Sequence, residues 1–348
     1  MYKTENEILS QYAALEKTYT YMMERAHEIK SIQKKKAFKS VAFIGCGSSY
    51  SLCRSAELSL KLRSQLKVDS FAAGDLMLNF VQYKSLMKDT LLIAPSRSGS
   101  TSEVILAVEK AKEEFGVPCI SICATNQSEL AKMADLSFEL PWAFDESVCQ
   151  TRTVTNLYVA DLILIGILTD DKLLLNEIKS AIDNGSLFMN ANKEVLKGIG
   201  NDEAWDNVVT LGDAELTGIV EEGALAFKEI CQLHSNYHHI LDVRHGPSVL
   251  IKNKTLVIIA TAPNGEAYQK DLIKDLKKQQ AIIVTVSDKS DNVYGSDYNF
   301  VVPSYTNYAV MGIPFIFIPQ MLAYSKAIAR GINPDLPQGL DPWIKLAR

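Results

Sequence analysis

Leu91-Leu92-Ile93-Ala94-Pro95 runs directly into Ser96-Arg97-Ser98-Gly99-Ser100-Thr101. The first stretch is apolar and reads as a strand; the second packs four hydroxyls and a glycine into six residues. Val104, Ile105, Val108 and Ala111 then recur at helical spacing. A strand that stops at small hydroxyl residues and turns into a helix leaves backbone N–H groups unpaired at the positive end of the helix dipole, and the hydroxyls add further donors. The segment therefore predicts an α/β unit with a phosphate-sized anion site at the carboxyl end of a strand.

Outward from this point, strand and helix patterns alternate along the whole chain, which implies a doubly wound, mainly parallel α/β sheet. Val41–Gly45, Val68–Ala72, Thr90–Pro95, Cys119–Ala124 and Leu136–Pro141 form a first set of strands. A second set follows in the same order: Val208–Gly212, Thr255–Thr261, Ala281–Ser287 and Asn299–Pro303, offset by 162 to 167 residues. Four matches in one order point to an internal duplication. The expected organisation is a helical lead-in over 1–34, a first domain over 35–190, a second over 191–330 and a tail over 331–348. That tail has little periodicity and is equally compatible with a cover over a cleft and with a frayed end.

The 348 residues suffice for two domains with their own cores. At 47% apolar and 22% charged the composition is that of a globular protein, and the net charge of −5 argues against nucleic acid as the main partner. The six cysteines, at 46, 53, 119, 123, 149 and 231, show no zinc spacing and no disulfide framework. They read as small buried hydrophobes in a reducing, cytoplasmic compartment. No signal peptide is recognisable at Met1–Glu5. Leu157–Leu168, which holds Asp161, and Tyr308–Tyr324, which holds Pro314 and Pro319, read as core segments and not membrane spans.

Two regions carry candidate chemistry. Gly45-Cys46-Gly47-Ser48-Ser49-Tyr50 follows the first strand but lacks the third glycine of a dinucleotide turn, because position 50 is Tyr. Its serines suit a phosphate or sugar hydroxyls, and a tight turn without a ligand is the plainer alternative. The equivalents in the second half, Leu211–Ala214 and Ala262–Glu266, are acidic or lack serine, so the two halves have diverged. The second region is 221–247, which contains Lys228, Glu229 and four of the five histidines. Glu229 ends an apolar helical stretch, where burial would raise a carboxyl toward a general base's range; a salt-bridged surface residue beside Lys228 is the alternative. His245 precedes Gly246-Pro247, a rigid turn able to present a side chain. His234, His238 and His239 lack the carboxylate or cysteine pattern of a metal site.

Taken together, Cys46-Gly47-Ser48-Ser49, Ser96–Thr101, Glu222-Gly223-Ala224-Leu225 with Lys228-Glu229-Ile230, Arg244-His245-Gly246-Pro247 and Asp335–Leu340 resemble the tandem sugar isomerase (SIS) domain family. The chain is similar, over about 35–340, to the isomerase half of glucosamine-6-phosphate synthase and to stand-alone amino-sugar-phosphate deaminases and fructosamine-phosphate deglycases. The resemblance implies two flavodoxin-like three-layer domains and a homodimer with its active site at the subunit interface. It implies a small sugar phosphate as ligand, with no nucleic acid, membrane, metal or organic cofactor. By the same resemblance Gly47, Ser48, Ser49, Ser96, Ser98 and Thr101 belong to the phosphate loops, with Arg97 where the synthase has glutamine. Cys149, Gln150 and Thr151 contact the sugar, Glu229 moves a proton between C1 and C2, and His245, 16 residues on, assists ring opening from the neighbouring subunit.

The chain departs from the synthase at three places. Pro342 stands at the Schiff-base lysine with Lys345 out of register, Ala226 replaces a lysine, and Tyr2 is not a nucleophilic cysteine of a glutaminase domain. Net amino-sugar synthesis is therefore not expected. The expected activity is enediol or enolamine proton transfer on ketose/aldose or amino-sugar 6-phosphates with deamination, the alternatives being fructosamine-6-phosphate deglycation and a non-catalytic sugar-phosphate sensor. A nucleotide-dependent enzyme lacks both its ribose-binding acid and its phosphate loop.

Overall fold

A computed structural model of the chain describes residues 2–35, 38–341 and 346; Pro342 and Lys345 lie outside them. The chain divides into two compact units: one of Ser10–Glu146 and Gln150–Ile182, the other of residues 2–9, Ser147–Cys149 and Asp183–Leu340. Two helices lead in, α1 (Lys3–Glu24) and α2 (Ala26–Lys35). Then follow β1 (Ser40–Gly45), α3 (Ser48–Arg63), β2 (Lys67–Ala72), α4 (Ala73–Leu78), α5 (Phe80–Met87), β3 (Thr90–Ser96), α6 (Ser102–Phe115), β4 (Cys119–Cys123), α7 (Glu129–Met133), β5 (Leu136–Glu139) and α8 (Arg152–Leu168). The five strands are parallel in the order β2-β1-β3-β4-β5.

This sheet is covered on both faces, as a parallel sheet requires. Ala42, Ile44, Leu92, Ala94, Cys119 and Cys123 share one core with Val104, Ile105, Val108 and Ala111 of α6 and with Leu76 and Phe80. Cys119 and Cys123 thus face the same way, as their spacing predicts. The opposite face packs on α3 and α8. All six cysteines are free thiols, and burial pushes Cys119 up to about 12 and Cys123 up to about 11.

The long helix α9 (Lys172–Asn201) runs through the expected domain boundary at 190, and the two units divide within it at 182/183. The second sheet is built from β6 (Asn207–Leu211), α10 (Thr217–Ile230), β7 (Ser235–His238), β8 (Thr255–Ala260), α11 (Glu266–Lys278), β9 (Ile282–Ser287), β10 (Tyr298–Val301) and α12 (Gly312–Ala329). Its parallel order, β7-β6-β8-β9-β10, repeats that of the first sheet strand for strand. Val209, Leu211, Val257, Ile259 and Ile283 pack against Leu272, Ile273 and Leu276 of α11. The α12 region is apolar enough to cross a membrane, yet 94% of its residues are buried in the fold, which makes it a core helix. In the same unit, Asp335 caps α1: it accepts the N–H groups of Lys3 at 2.9 Å and Thr4 at 2.8 Å, and the Thr4 hydroxyl at 2.8 Å.

Two glycines of α9 give opposite expectations. A Cβ at Gly200 would lie 2.4 Å from Ser325 Cβ, whereas one at Gly198 would meet nothing within 4 Å. Gly200→Ala is expected to destabilise the fold by about 1–3 kcal/mol through overpacking, and Gly198→Ala to stabilise it by up to about 1 kcal/mol through helix propensity; denaturant midpoints of the two variants check this. Asp161 on α8 is fully buried, neither oxygen has a hydrogen-bond partner among the described residues, and burial pushes its carboxyl well above the ordinary range. The folded chain must keep that proton while the unfolded chain releases it, so stability is lost as pH rises above the ordinary aspartate value. Asp161→Asn, which cannot ionise, is therefore expected to gain stability over the parent progressively from pH 5 to pH 8 in unfolding titrations.

Candidate active site

The first unit presents a recess of about 330 Å³, partly open to solvent, at the carboxyl ends of β1 and β3, lined by Cys46, Ser49, Ser96, Arg97, Ser98, Thr101 and Gln150, with Pro95 and Val104. Strands of parallel sheets deliver their ligands' contacts at this edge, here where β1 lies between β2 and β3. Two helices begin at the recess. The first, α3, sits tight against β1: a Cβ on Gly45 would fall 2.7 Å from the Ser49 carbonyl carbon, so only glycine admits the helix start. Gly47 turns the chain with a φ of 52°. The second, α6, begins after Thr101, whose side chain makes no capping hydrogen bond and faces the recess instead.

The hydroxyl loop is held in shape by its own atoms and by its neighbours. Ser96 Oγ accepts the Gly99 N–H at 3.0 Å, and Ser98 Oγ accepts that of Ser100 at 3.2 Å. Thr125 Oγ1 donates to the Ser98 carbonyl at 2.8 Å, and the Leu130 N–H donates to the Gly99 carbonyl at 2.9 Å. Gly99 has a φ of 59°, and a Cβ there would lie 2.2 Å from Ser128 Oγ. Arg97 is only 7% exposed, placing a guanidinium where two helix N-termini converge. Cationic charge, hydroxyls and helix dipoles all favour a bound anion of phosphate size.

Of the residues expected in the site, Ser49, Ser96, Arg97, Ser98, Thr101 and Gln150 are brought together around this one recess. Gly47 and the buried Ser48 form the turn behind Ser49. Cys149 and Thr151 are buried beside Gln150 without lining the recess. Cys46 does line it, although it reads from sequence as a plain core residue; its place inside the glycine turn is the signal. Burial and the charge of Glu103 push its thiol up to about 11, so it is a neutral wall and not a thiolate nucleophile.

The remaining expected residues lie in the second unit. Glu229 occupies the last turn of α10 and is half-buried, and its neighbour Lys228 is pulled below the ordinary lysine range by burial. Ala226, at the lysine position of the resemblance, is buried in the same helix. His245 follows a short 3-10 turn anchored by Arg244, which pairs with Asp275 at 2.8 Å. Its ring is exposed and makes no hydrogen bond or ion pair among the described residues. Burial lowers His238, which ends β7, while His239 Nδ1 lies 2.9 Å from Asp213. The second sheet carries its own recess, of about 340 Å³, at the ends of β8, β9 and β10; Thr261, Asp288, Tyr305 and Tyr308 line it, with no serine or arginine. The divergence expected from the two loops is therefore a divergence of charge: arginine in one recess, aspartate in the other.

Residues 36–168 match the family model of the SIS domain. The glutamine–fructose-6-phosphate aminotransferase (isomerizing) of Wigglesworthia glossinidia brevipalpis is 26% identical over 342 residues, which is 94% of this chain and 54% of that protein. The chain spans about half the length of the curated relatives it matches. Glucosamine-6-phosphate deaminase from Thermotoga maritima superposes with a TM-score of 0.82 at 25% identity, covering 99% of this chain and 100% of that one. Tagatose-6-phosphate ketose/aldose isomerase from Escherichia coli superposes with a TM-score of 0.85 at 21% identity, covering 98% and 96%. The fold is that of the SIS phosphosugar isomerases.

Because Ser128 fills the space where a side chain on Gly99 would go, Gly99→Ala is expected to open the hydroxyl loop. Calorimetric titration with inorganic phosphate should then show a loss of affinity of about tenfold or more, together with a drop in stability of about 1–2 kcal/mol from the left-handed backbone alone.

Proposed function

We propose that this chain is a phosphosugar isomerase acting on amino-sugar 6-phosphates with release of ammonia. The observation that carries the reading is the recess in which Ser49, Ser96, Ser98, Thr101 and the buried Arg97 surround the start of two helices. A monoester dianion is the ligand that this set of donors suits. The fold shared with glucosamine-6-phosphate deaminase from Thermotoga maritima, at 25% identity over 99% of this chain, supports deamination as the reaction.

In this reading the phosphate is held by the hydroxyl loop and the sugar reacts in its open-chain form. Glu229 takes the proton from C2 of the aldose and returns it to C1. The enolamine so formed becomes an imine at C2, water adds to that carbon, and ammonia leaves to give the ketose 6-phosphate. His245 assists ring opening; its exposed loop, with Val249 and Leu250 exposed beside it, is supplied from a second copy of the chain. Residues 191–330 are, in this reading, a diverged second copy of the SIS domain.

Purified chain incubated with glucosamine 6-phosphate is expected to release ammonia. Glu229→Gln should lower kcat by about 10²–10⁴-fold with KM little changed, as loss of a general base does. Arg97→Gln should do the reverse, raising KM by about tenfold or more through loss of a charge-assisted contact. Release of an amino acid from a fructosamine 6-phosphate, with no ammonia from either glucosamine or galactosamine 6-phosphate, would replace the proposal with a deglycase.

A further inference from the structure

Gln150 stands at the edge of the phosphate recess with its Oε1 shielded from solvent and without a hydrogen-bond partner among the described residues. An amide oxygen left in that state calls for a donor, and the dianion of a phosphate monoester has none; a sugar hydroxyl does. What fixes the backbone next to this amide is the junction between Gln150 and α8. Asp145, 1% exposed, accepts the N–H groups of Thr151 and Thr153 on a single carboxylate oxygen, Oδ2, at 2.8 Å each. Thr153 answers: its Oγ1 accepts the Asp145 N–H at 3.2 Å and donates to the Ala143 carbonyl at 2.6 Å. Arg152, a cation at the positive end of α8, lies with Nε 3.8 Å from Asp145 Oδ1, while its other nitrogens donate to Ser10 Oγ at 3.1 Å and to the Phe144 carbonyl.

We propose that Asp145 is a positioning residue for sugar recognition: it locks the Thr151–Thr153 start of α8 so that Gln150 presents its amide oxygen to a hydroxyl of the sugar, not to the phosphate. The proposal rests on the reading of the recess as a sugar-phosphate site. The carboxylate serves three purposes at once. It satisfies two helix N–H groups that would otherwise be buried unpaired, it offsets Arg152 against the helix dipole, and it removes the freedom of the residue next in chain to the recess. Asp145 itself touches no ligand, so its effect travels through Gln150 alone.

The test compares two probes on the whole chain by calorimetric titration: inorganic phosphate, which needs only the hydroxyl loop, and sorbitol 6-phosphate, an open-chain polyol that cannot react. Asp145→Asn and Gln150→Ala are each expected to weaken sorbitol 6-phosphate about tenfold and to leave inorganic phosphate within about twofold, and the double variant to be no weaker than either single one. A multiplicative loss in the double variant, an equal loss for inorganic phosphate, or unchanged sorbitol 6-phosphate binding in Asp145→Asn overturns the proposal. Should Asp145→Asn fail to fold, Thr153→Val loosens the same junction and is expected to weaken sorbitol 6-phosphate alone, by about threefold. Wild-type chain that binds neither probe refutes the sugar-phosphate reading itself, which keeps the two failures apart.

Discussion

Everything about the recess depends on one absent atom, the Cβ of Gly99. Its left-handed backbone brings the loop back on itself so that Ser96 and Ser98 bond their own turn, and its bare face lets Ser128 sit where a side chain would be. Ser128 in turn caps α7, accepting the Ala131 N–H at 3.1 Å, and the loop carbonyl of Gly99 accepts from Leu130. The anion loop, the short helix behind it and the end of β4 are therefore one rigid assembly. Gly45 performs the matching service at β1, where it admits the start of α3. Two bare backbone positions thus allow two helix N-termini to converge on one point.

The two sheets share one frame whose edge loops have diverged. Strand order and register direction are shared, yet the loop after β8 is held by a side chain in place of its own hydroxyls: Gln269 bonds the Ala262 N–H at 2.9 Å and the carbonyls of Ala262 at 3.0 Å and Asn264 at 2.9 Å. Tyr308 lines the recess there, its hydroxyl donating to the Ala260 and Thr261 carbonyls at 3.2 and 3.1 Å. Core packing preserves a sheet's order far longer than it preserves the chemistry of the loops at its edge.

Nine of the ten strands are legible in the sequence, most plainly β1, β3, β6 and β9, which are almost wholly buried apolar runs that end at or just before glycine or serine. The tenth, β7, is not: Ser235-Asn236-Tyr237-His238 lies at the edge of its sheet, pairs on one side only, and is polar at three of its four positions, of which Asn236 is exposed. Its one histidine, His238, ends the strand. In the recess, the hydroxyls and Arg97 are legible because a cluster of hydroxyls with a cation is a local property of one loop. Asp145 is not, since its role arises from a hydrogen bond to backbone six and eight residues on, and no residue-type pattern announces it. The division of α9 between two units is likewise invisible to periodicity, which follows the helix straight through.

The carboxylate of Asp335 on the first N–H groups of α1 ties together positions 332 and 331 residues apart. During synthesis Lys3 and Thr4 emerge more than 300 residues before their acceptor. The first sheet, whose strands all lie between Ser40 and Glu139, has every hydrogen-bonding partner available long before then. Vectorial folding is therefore built into the chain: the first sheet can close on the ribosome, while the opening turn of α1 waits, uncapped, until Asp335 emerges.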